Sequence, residues 1–234
     1  MDRLTRKELK TDKFAQEFGH SVEYMAEHRK QLVRYGIIAV VIAAVALAIY
    51  GFQQYREGER RDALKAALRV QEATIGPAAP EGMMSFPTQP EKDAAVSKAM
   101  TDVATHYQGS RQAAVADFYL GSMAADKGNL GEAEKHFKAV VDGGDKNYAS
   151  LAKLSLATIY GSQGKRAEGE QLLRGVVSTP TVFVSKEQAT IALAKYLAPY
   201  NPQEARKLLE PLRGDARGAI SRVALSTLSG IPQK

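Results

Sequence analysis

The chain has 234 residues, of which 44% are hydrophobic and 25% are charged, fractions typical of a folded protein and not of a disordered or collagen-like chain. It contains no cysteine, which excludes disulfide bonds and cysteine-based zinc sites. The formal net charge is +6, with the basic residues spread along the chain, so we expect no nucleic-acid partner.

Residues 1–34 are predicted to form a cytoplasmic tail that contains an amphipathic helix. Its apolar residues recur at intervals of four, four and three, as one face of a helix requires. We call them the docking stripe: Phe14, Phe18, Val22 and Met25. Two interpretations stay open, because such a stripe suits either the inner leaflet of a membrane or the cytosolic surface of a partner protein.

Residues 35–55 carry no charge and are predicted to form a transmembrane helix between Arg34 and Arg56. A helix of about 20 residues crosses a hydrocarbon core of ~30 Å. The nine Ile, Val, Leu and Phe residues of the block favour insertion by roughly 3–5 kcal/mol in total. A buried core helix is the alternative. A cleaved signal peptide is disfavoured because 34 residues precede the block.

The orientation of this helix is not fixed by its flanking charges. Lys and Arg residues occur on both sides of the block, so the positive-inside rule does not distinguish the two orientations. A short cytoplasmic tail with an exported C-terminal domain is the commoner arrangement, and we expect it here. Small residues four apart, at Ala39 and Ala43 and at Ala44 and Ala48, suit helix pairing, so a homo-oligomer through the membrane helix stays open.

Residues 56–109 are predicted to form a helical hairpin. A Pro-rich loop at 76–90 separates its two helices, because four prolines there prevent a helix from continuing. The second helix carries apolar residues on one side, at Val96, Met100 and Val103.

From about residue 110, the sequence repeats with a period of 36 residues. Three apolar columns show it: Phe137, Leu173 and Leu209; Val140, Val176 and Leu212; Leu120, Leu156, Ala192 and Leu228. Gly128 and Gly164 lie between helical patterns, where a turn needs positive φ. Ser185, three residues before Gln188, predicts a capping box. We therefore predict three helix–turn–helix units in residues 110–234, followed by a C-terminal capping helix, stacked as a solenoid.

These units resemble the tetratricopeptide repeat (TPR) family. The matching residues of the first two units are Leu120, Gly121, Gly128, Ala133 and Phe137, and then Leu156, Ala157, Tyr160, Gly164, Gly169 and Leu173. The third unit matches less well, because Tyr200, Asn201 and Pro202 replace the glycine turn. The resemblance implies a TPR-like helical solenoid, and with the uncharged block at 35–55 we expect an all-α protein in which a single N-terminal transmembrane helix precedes that solenoid.

The whole layout is similar to the membrane-anchored TPR subunits that are ancillary to the bacterial Sec translocon. Residues 107–116 are similar to the start of the array in that family. The resemblance implies a single-pass protein of the bacterial inner membrane, with a cytoplasmic N-terminus and a periplasmic C-terminal domain. The implied partners are translocon components, chaperones or secreted clients, besides the lipid bilayer. The alternatives are a structural subunit of a cell-envelope complex and a cytosol-facing import receptor.

The sequence contains no recognisable catalytic pattern. It has no HExxH zinc motif, no GxSxG nucleophile motif, no dinucleotide fingerprint and no phosphate-binding loop. We therefore expect a protein that is not an enzyme, with no catalytic residues, no cofactor and no metal ion.

Binding is expected in the concave groove that the first helices of TPR units line. By the repeat register, six residues should point into this predicted groove: Phe118, Ser122, Leu154, Thr158, Thr190 and Ala194. They are apolar or carry small hydroxyls, so the Lys, Asn and Arg clamp that some TPR proteins use for a terminal carboxylate is absent. Such a groove suits the hydrophobic face of a helical or extended segment. The alternative is that some of these residues pack against an adjacent helix.

Overall fold

A computed structural model describes residues 29–76, 84–215 and 217–232, so the docking stripe of Phe14, Phe18, Val22 and Met25 lies outside the described residues. The described part is all-α apart from two short strands. The helices are α1 (Arg29–Gln71), α2 (Gln89–His106), α3 (Arg111–Asp126), α4 (Leu130–Asp142), α5 (Lys146–Ser162), α6 (Arg166–Ser178), α7 (Lys186–Leu197), α8 (Pro202–Leu209) and α9 (Gly218–Ser229), and the strands are β1 (Thr74–Ile75) and β2 (Ser85–Phe86). The chain divides into two parts, residues 1–58 and residues 59–234.

The first part, as far as it is described, is the beginning of α1. The large apolar residues between Tyr35 and Tyr55 are 46–71% exposed. The most apolar window of this helix has a mean hydropathy of 2.5, and none of it is buried within the protein. By length and composition α1 could therefore cross a membrane, a property that it shares with signal sequences near an N-terminus.

The described residues of the second part begin with the end of α1, strands β1 and β2, and α2. Strands β1 and β2 pair in parallel, and the Gly76 N–H donates to the Phe86 carbonyl at 3.0 Å. Helix α2 already begins at Gln89, inside the loop predicted at 76–90. Pro90 lies in its first turn, where a residue without an N–H leaves no helical hydrogen bond unmade.

One buried cluster joins these elements to the array. Ala67 of α1, Val96 and Met100 of α2, and Ala116 and Leu120 of α3 pack together, and Met100 has no exposed surface. Helix α3 thus has an apolar partner on its N-terminal side, as the first helix of a stacked array needs.

Three successive helix–turn–helix units follow, formed by α3 with α4, α5 with α6, and α7 with α8. Gly128 and Gly164 have φ of +77° and +78°, which confirms the predicted glycine turns. The capping box is also confirmed, because the Gln188 N–H donates to Ser185 Oγ at 3.2 Å and the Ser185 N–H donates to Gln188 Oε1 at 2.9 Å.

The units bury their apolar faces against one another. Phe137 and Val140 of α4 belong to the same buried cluster as Leu156 and Ile159 of α5. Each of these side chains is at most 4% exposed. The core of the array is therefore continuous from one unit to the next.

Helix α7 departs by one residue from the 36-residue period. The buried pair of α5 is Leu156 and Ala157, and the equivalent pair of α7 is Leu193 and Ala194, which lies 37 residues later (193 − 156). Ala192, the residue that the period predicts at this position, is only partly buried. The connection before α7 is longer than the earlier one, with seven residues at 179–185 against three at 143–145.

Helix α9 closes the C-terminal end of the array. Ala224 and Leu228 are buried in the same cluster as Leu209 of α8. Arg206 Nη1 donates to the carbonyls of Leu228 and Ile231, at 3.3 Å and 2.9 Å. These bonds join α8 to the C-terminal end of α9 and to the residue that follows Gly230.

Polar contacts also connect the first two units. Glu134 of α4 accepts from Lys138 Nζ at 2.6 Å and from Gln163 Nε2 at 3.3 Å, and Lys165 Nζ lies 3.8 Å from its carboxylate. The hydrogen bond from Lys138 is the main cause that lowers the pKa of Glu134 below its usual 4.5, and Gln163 and Lys165 add to it. The ionised carboxylate is thus favoured by the folded array.

We predict that Phe137→Ala lowers the free energy of unfolding by about 3–5 kcal/mol, because it leaves a cavity in the core between two units. Phe137 is 2% exposed, whereas Phe183, in the loop before α7, is 36% exposed. Denaturant unfolding followed by circular dichroism should show a clearly smaller loss for the matched variant Phe183→Ala. Equal losses would contradict the assignment of Phe137 to the core.

We predict that Glu134 contributes to stability above about pH 4.5 and that this contribution is lost as the pH falls through its lowered folded-state pKa. The unfolded chain binds the proton more readily than the folded chain, so acidification favours unfolding. Melting temperatures of Glu134→Gln and the native sequence should differ at pH 7 and converge near pH 3. The control Glu132→Gln changes an exposed carboxylate in the first turn of the same helix and should give a smaller difference from the native sequence at pH 7.

Candidate protein-binding surface

The first helices of the three units form the surface on which binding was predicted. Helix α3 contacts α5, and α5 contacts α7. All six residues of the predicted groove lie on these helices, two on each of them. The burial and the contacts of these six residues nevertheless differ from one helix to the next.

On α3, Phe118 is half-buried and packs against two neighbouring aromatic rings. Its ring lies 5.5 Å from the Phe137 ring and 6.1 Å from the Tyr148 ring, and Tyr148 lies 5.2 Å from Phe183, all between centroids. Tilted and edge-to-face contacts at these distances are favourable. Ser122 is half-buried, and its hydroxyl donates to the Phe118 carbonyl at 2.9 Å. Phe118 therefore packs against adjacent helices, which was the alternative to an open position in the groove.

On α7, the change of register moves the predicted residues away from the open surface. Ala194 has no exposed surface and lies in the C-terminal core cluster, which corrects its expected position in the groove. Thr190 is half-buried, and its hydroxyl donates to the Lys186 carbonyl at 2.7 Å. The residues of α7 that face the cleft towards α5 are instead Ala192 and Lys195.

On α5, both predicted residues line an open cavity. Leu154 and Thr158 border a space of about 520 Å³ between α5 and α7, next to the start of α6. Leu154 is half-buried, whereas Thr158 is exposed. We call this space the α5–α7 cavity. Natural ligand pockets have volumes of about 300–1,000 Å³, so the cavity could hold a large side chain of a partner.

Tyr196 of α7 forms one wall of the α5–α7 cavity and lies close to two glycines. A Cβ atom at Gly161 would lie 2.9 Å from Tyr196 Cε2, and one at Gly169 would overlap the Tyr196 hydroxyl. The hydroxyl donates to the Arg166 carbonyl at 3.2 Å. The absence of side chains at both glycines therefore allows the ring to reach α5 and α6 and to hold α7 against them.

Tyr200 and two basic residues complete the wall. The Tyr200 ring lies 5.9 Å from the Tyr196 ring, edge to face, and the Arg166 guanidinium lies 5.3 Å from the Tyr200 centroid. Burial raises the pKa of Tyr200 to about 12. Its hydroxyl is buried and has no hydrogen-bond partner in the part of the chain that the structure describes. Lys195 is exposed at the cavity.

Sequence reasoning identified Leu154 and Thr158 but missed Arg166, Lys195 and Tyr200 at this cavity. Arg166 and Lys195 have no signal in the 36-residue period, because they come from the start of a second helix and from the shifted α7. Within residues 29–76, 84–215 and 217–232, no group of three or more His, Asp or Glu residues could hold a metal ion.

The fold and this surface define an α-helical repeat protein, a class whose stacked units present extended surfaces to other proteins. The chain belongs to the tetratricopeptide repeat-like domain family, whose sequence pattern it matches over residues 32–189. This match confirms the predicted TPR-like, all-α character, and it favours a scaffold for protein–protein interaction. No curated protein and no solved structure matches the chain.

We predict that Gly169→Ala destabilises the array, because the new methyl group would overlap the Tyr196 hydroxyl. The matched control is Gly175→Ala in the same helix, where no atom lies within 4 Å of the added Cβ. Alanine favours helix by about 1 kcal/mol over glycine, so this control should be more stable than the native sequence. Thermal unfolding should move in opposite directions for the two variants. A rise for both would show that Tyr196 is not held as described.

Proposed function

We propose that this protein is a membrane-anchored scaffold that binds other proteins through its TPR-like array and has no catalytic role. The observation that supports the anchor is the apolar surface of α1 between Tyr35 and Tyr55, which no other part of the protein covers and whose exposure to water is unfavourable. The array supplies the protein-binding surface, and the membrane segment would hold that surface at the bilayer.

We further propose that the anchor lies in a bacterial inner membrane, with the N-terminus in the cytoplasm and the array in the periplasm. The partners would be components of the protein-export (Sec) machinery, periplasmic chaperones or secreted clients. The support for this proposal is the similarity of the layout to the membrane-anchored TPR subunits ancillary to the Sec translocon. Orientation and partner identity are both open to direct tests.

The apolar residues of the anchor make the free energy of membrane insertion only moderately favourable. They favour insertion by roughly 3–5 kcal/mol, whereas each Lys near the centre of a transmembrane helix costs about 2.5–3.5 kcal/mol. Two lysines at the centre would therefore reverse the sign of the insertion free energy. Val41 and Val45 lie near the middle of residues 35–55.

We predict that Val41→Lys with Val45→Lys releases most of the protein from the membrane fraction after alkaline extraction, whereas the native chain stays in the membrane pellet. The matched control is Val223→Lys with Leu225→Lys, which adds the same charge at residues that are 42% and 43% exposed on α9. This control should remain in the pellet. Release of the native chain itself, or retention of the Val41/Val45 variant, would contradict the anchor.

The same preparations test orientation and partners. Protease added to spheroplasts should digest the array, and protease added to inverted vesicles should leave it protected; the reverse pattern would identify a cytosol-facing receptor. Crosslinking followed by purification in mild detergent should recover channel components. Recovery of other envelope proteins in their place would favour a structural subunit.

A further inference from the structure

The α5–α7 cavity carries two cations that the array does not neutralise. In the described ranges, neither Arg166 nor Lys195 forms an ion pair with a carboxylate, and no Asp or Glu lines the cavity. Glu170, a neighbouring carboxylate on α6, is held by Arg174 Nη2 at 2.7 Å. The lining of the cavity therefore contains two cations and no carboxylate, and the nearest acidic residues, Glu168 and Glu170, lie behind Tyr196 on α6.

The remaining wall of the cavity is apolar and aromatic. Leu154 and Ala192 line it, and the rings of Tyr196 and Tyr200, which also line it, contact each other edge to face. A third ring could contact this pair with the same favourable geometry. Movement of Tyr200 towards an occupant would break no hydrogen bond, because its hydroxyl has no partner among the described residues.

Resting on the protein-binding role proposed above, we propose that the α5–α7 cavity binds an acidic segment of a partner protein that contains an aromatic residue. The aromatic ring enters the cavity, and carboxylates next to it in the sequence pair with Arg166 and Lys195. The apolar wall favours an aromatic side chain, and the two cations favour acidic residues on either side of it in the partner's sequence. A basic segment is repelled, so the site distinguishes between partners by charge as well as by shape.

Labelled peptides test this directly. The full chain is reconstituted in phosphatidylcholine nanodiscs, whose neutral lipids do not attract the probe, and titrated against fluorescein-labelled GSDFEDG. Two further probes each lack one feature: GSNFQNG has no charge, and GSDAEDG has no ring. We expect fluorescence anisotropy to show binding of the first peptide at least about tenfold tighter than of either other peptide. Equal binding of GSNFQNG would overturn the proposal.

Two substitutions at one exposed position test whether Arg166 and Lys195 attract the acidic residues of the peptide. Thr158 borders the cavity, and its substitution should not disturb the core. Thr158→Asp adds a carboxylate that competes for Arg166 and Lys195, so GSDFEDG should bind more weakly, whereas Thr158→Lys should strengthen its binding. The two side chains both obstruct the cavity, so weakening by both substitutions would indicate a steric effect and overturn the charge argument.

A matched pair of lysine variants locates the site. Lys195→Gln should weaken the binding of GSDFEDG by about three- to fivefold, as the loss of one exposed ion pair does. Lys186→Gln removes the same charge from the start of α7, away from the cavity lining, and should leave binding unchanged. Circular dichroism of each variant must match the native spectrum. Equal weakening by both variants would overturn the assignment of binding to the α5–α7 cavity.

Failure of this inference and failure of the proposed function give different results. If the native chain shows no saturable binding of GSDFEDG, the peptide specificity of the cavity is wrong. Membrane retention, protease accessibility and crosslinking to export components do not depend on the cavity, and they decide the proposed function separately.

Discussion

Each helix pair of the array buries its apolar face only by packing against the pair next to it, and the rest of the structure depends on this constraint. Ala157 and Leu173 of the second unit share a cluster with Leu193 and Leu209 of the third. The end of the array therefore needs α9, and its beginning needs α2 and the end of α1. An open space nevertheless remains between the first helices of the second and third units, at the α5–α7 cavity.

The sequence predicts the second helices of the units well, because the 36-residue column of Phe137, Leu173 and Leu209 is buried throughout. It also predicts the turns at Gly128 and Gly164, because both glycines have positive φ and lie 36 residues apart. It misplaces the core pair of α7, because counting by a fixed period assumes connections of constant length. The connection at 179–185 is four residues longer than the one at 143–145, and the core pair of α7 lies one residue beyond the period. Helix α8 returns to the period, because Pro202 lies 36 residues after Arg166.

The candidate site could be predicted only in part. Leu154 and Thr158 lie where the repeat register puts them, on the open side of α5. Phe118 is half-buried, because Tyr148 and Phe183 contact each other beside it and neither aromatic has an equivalent 36 residues away. The charge of the cavity depends on which carboxylates are already paired in three dimensions, and no periodic pattern contains that information.

The contact between Tyr196 and Gly169 has an evolutionary consequence. While the tyrosine occupies the space beside the glycine, any side chain at position 169 meets its hydroxyl, so we expect substitutions there to destabilise the array. Once position 196 has changed to a smaller residue, the same substitution at 169 fills the vacated space and becomes tolerable. The two positions are therefore epistatic, and a lineage can leave this pairing by changing residue 196 first and residue 169 afterwards.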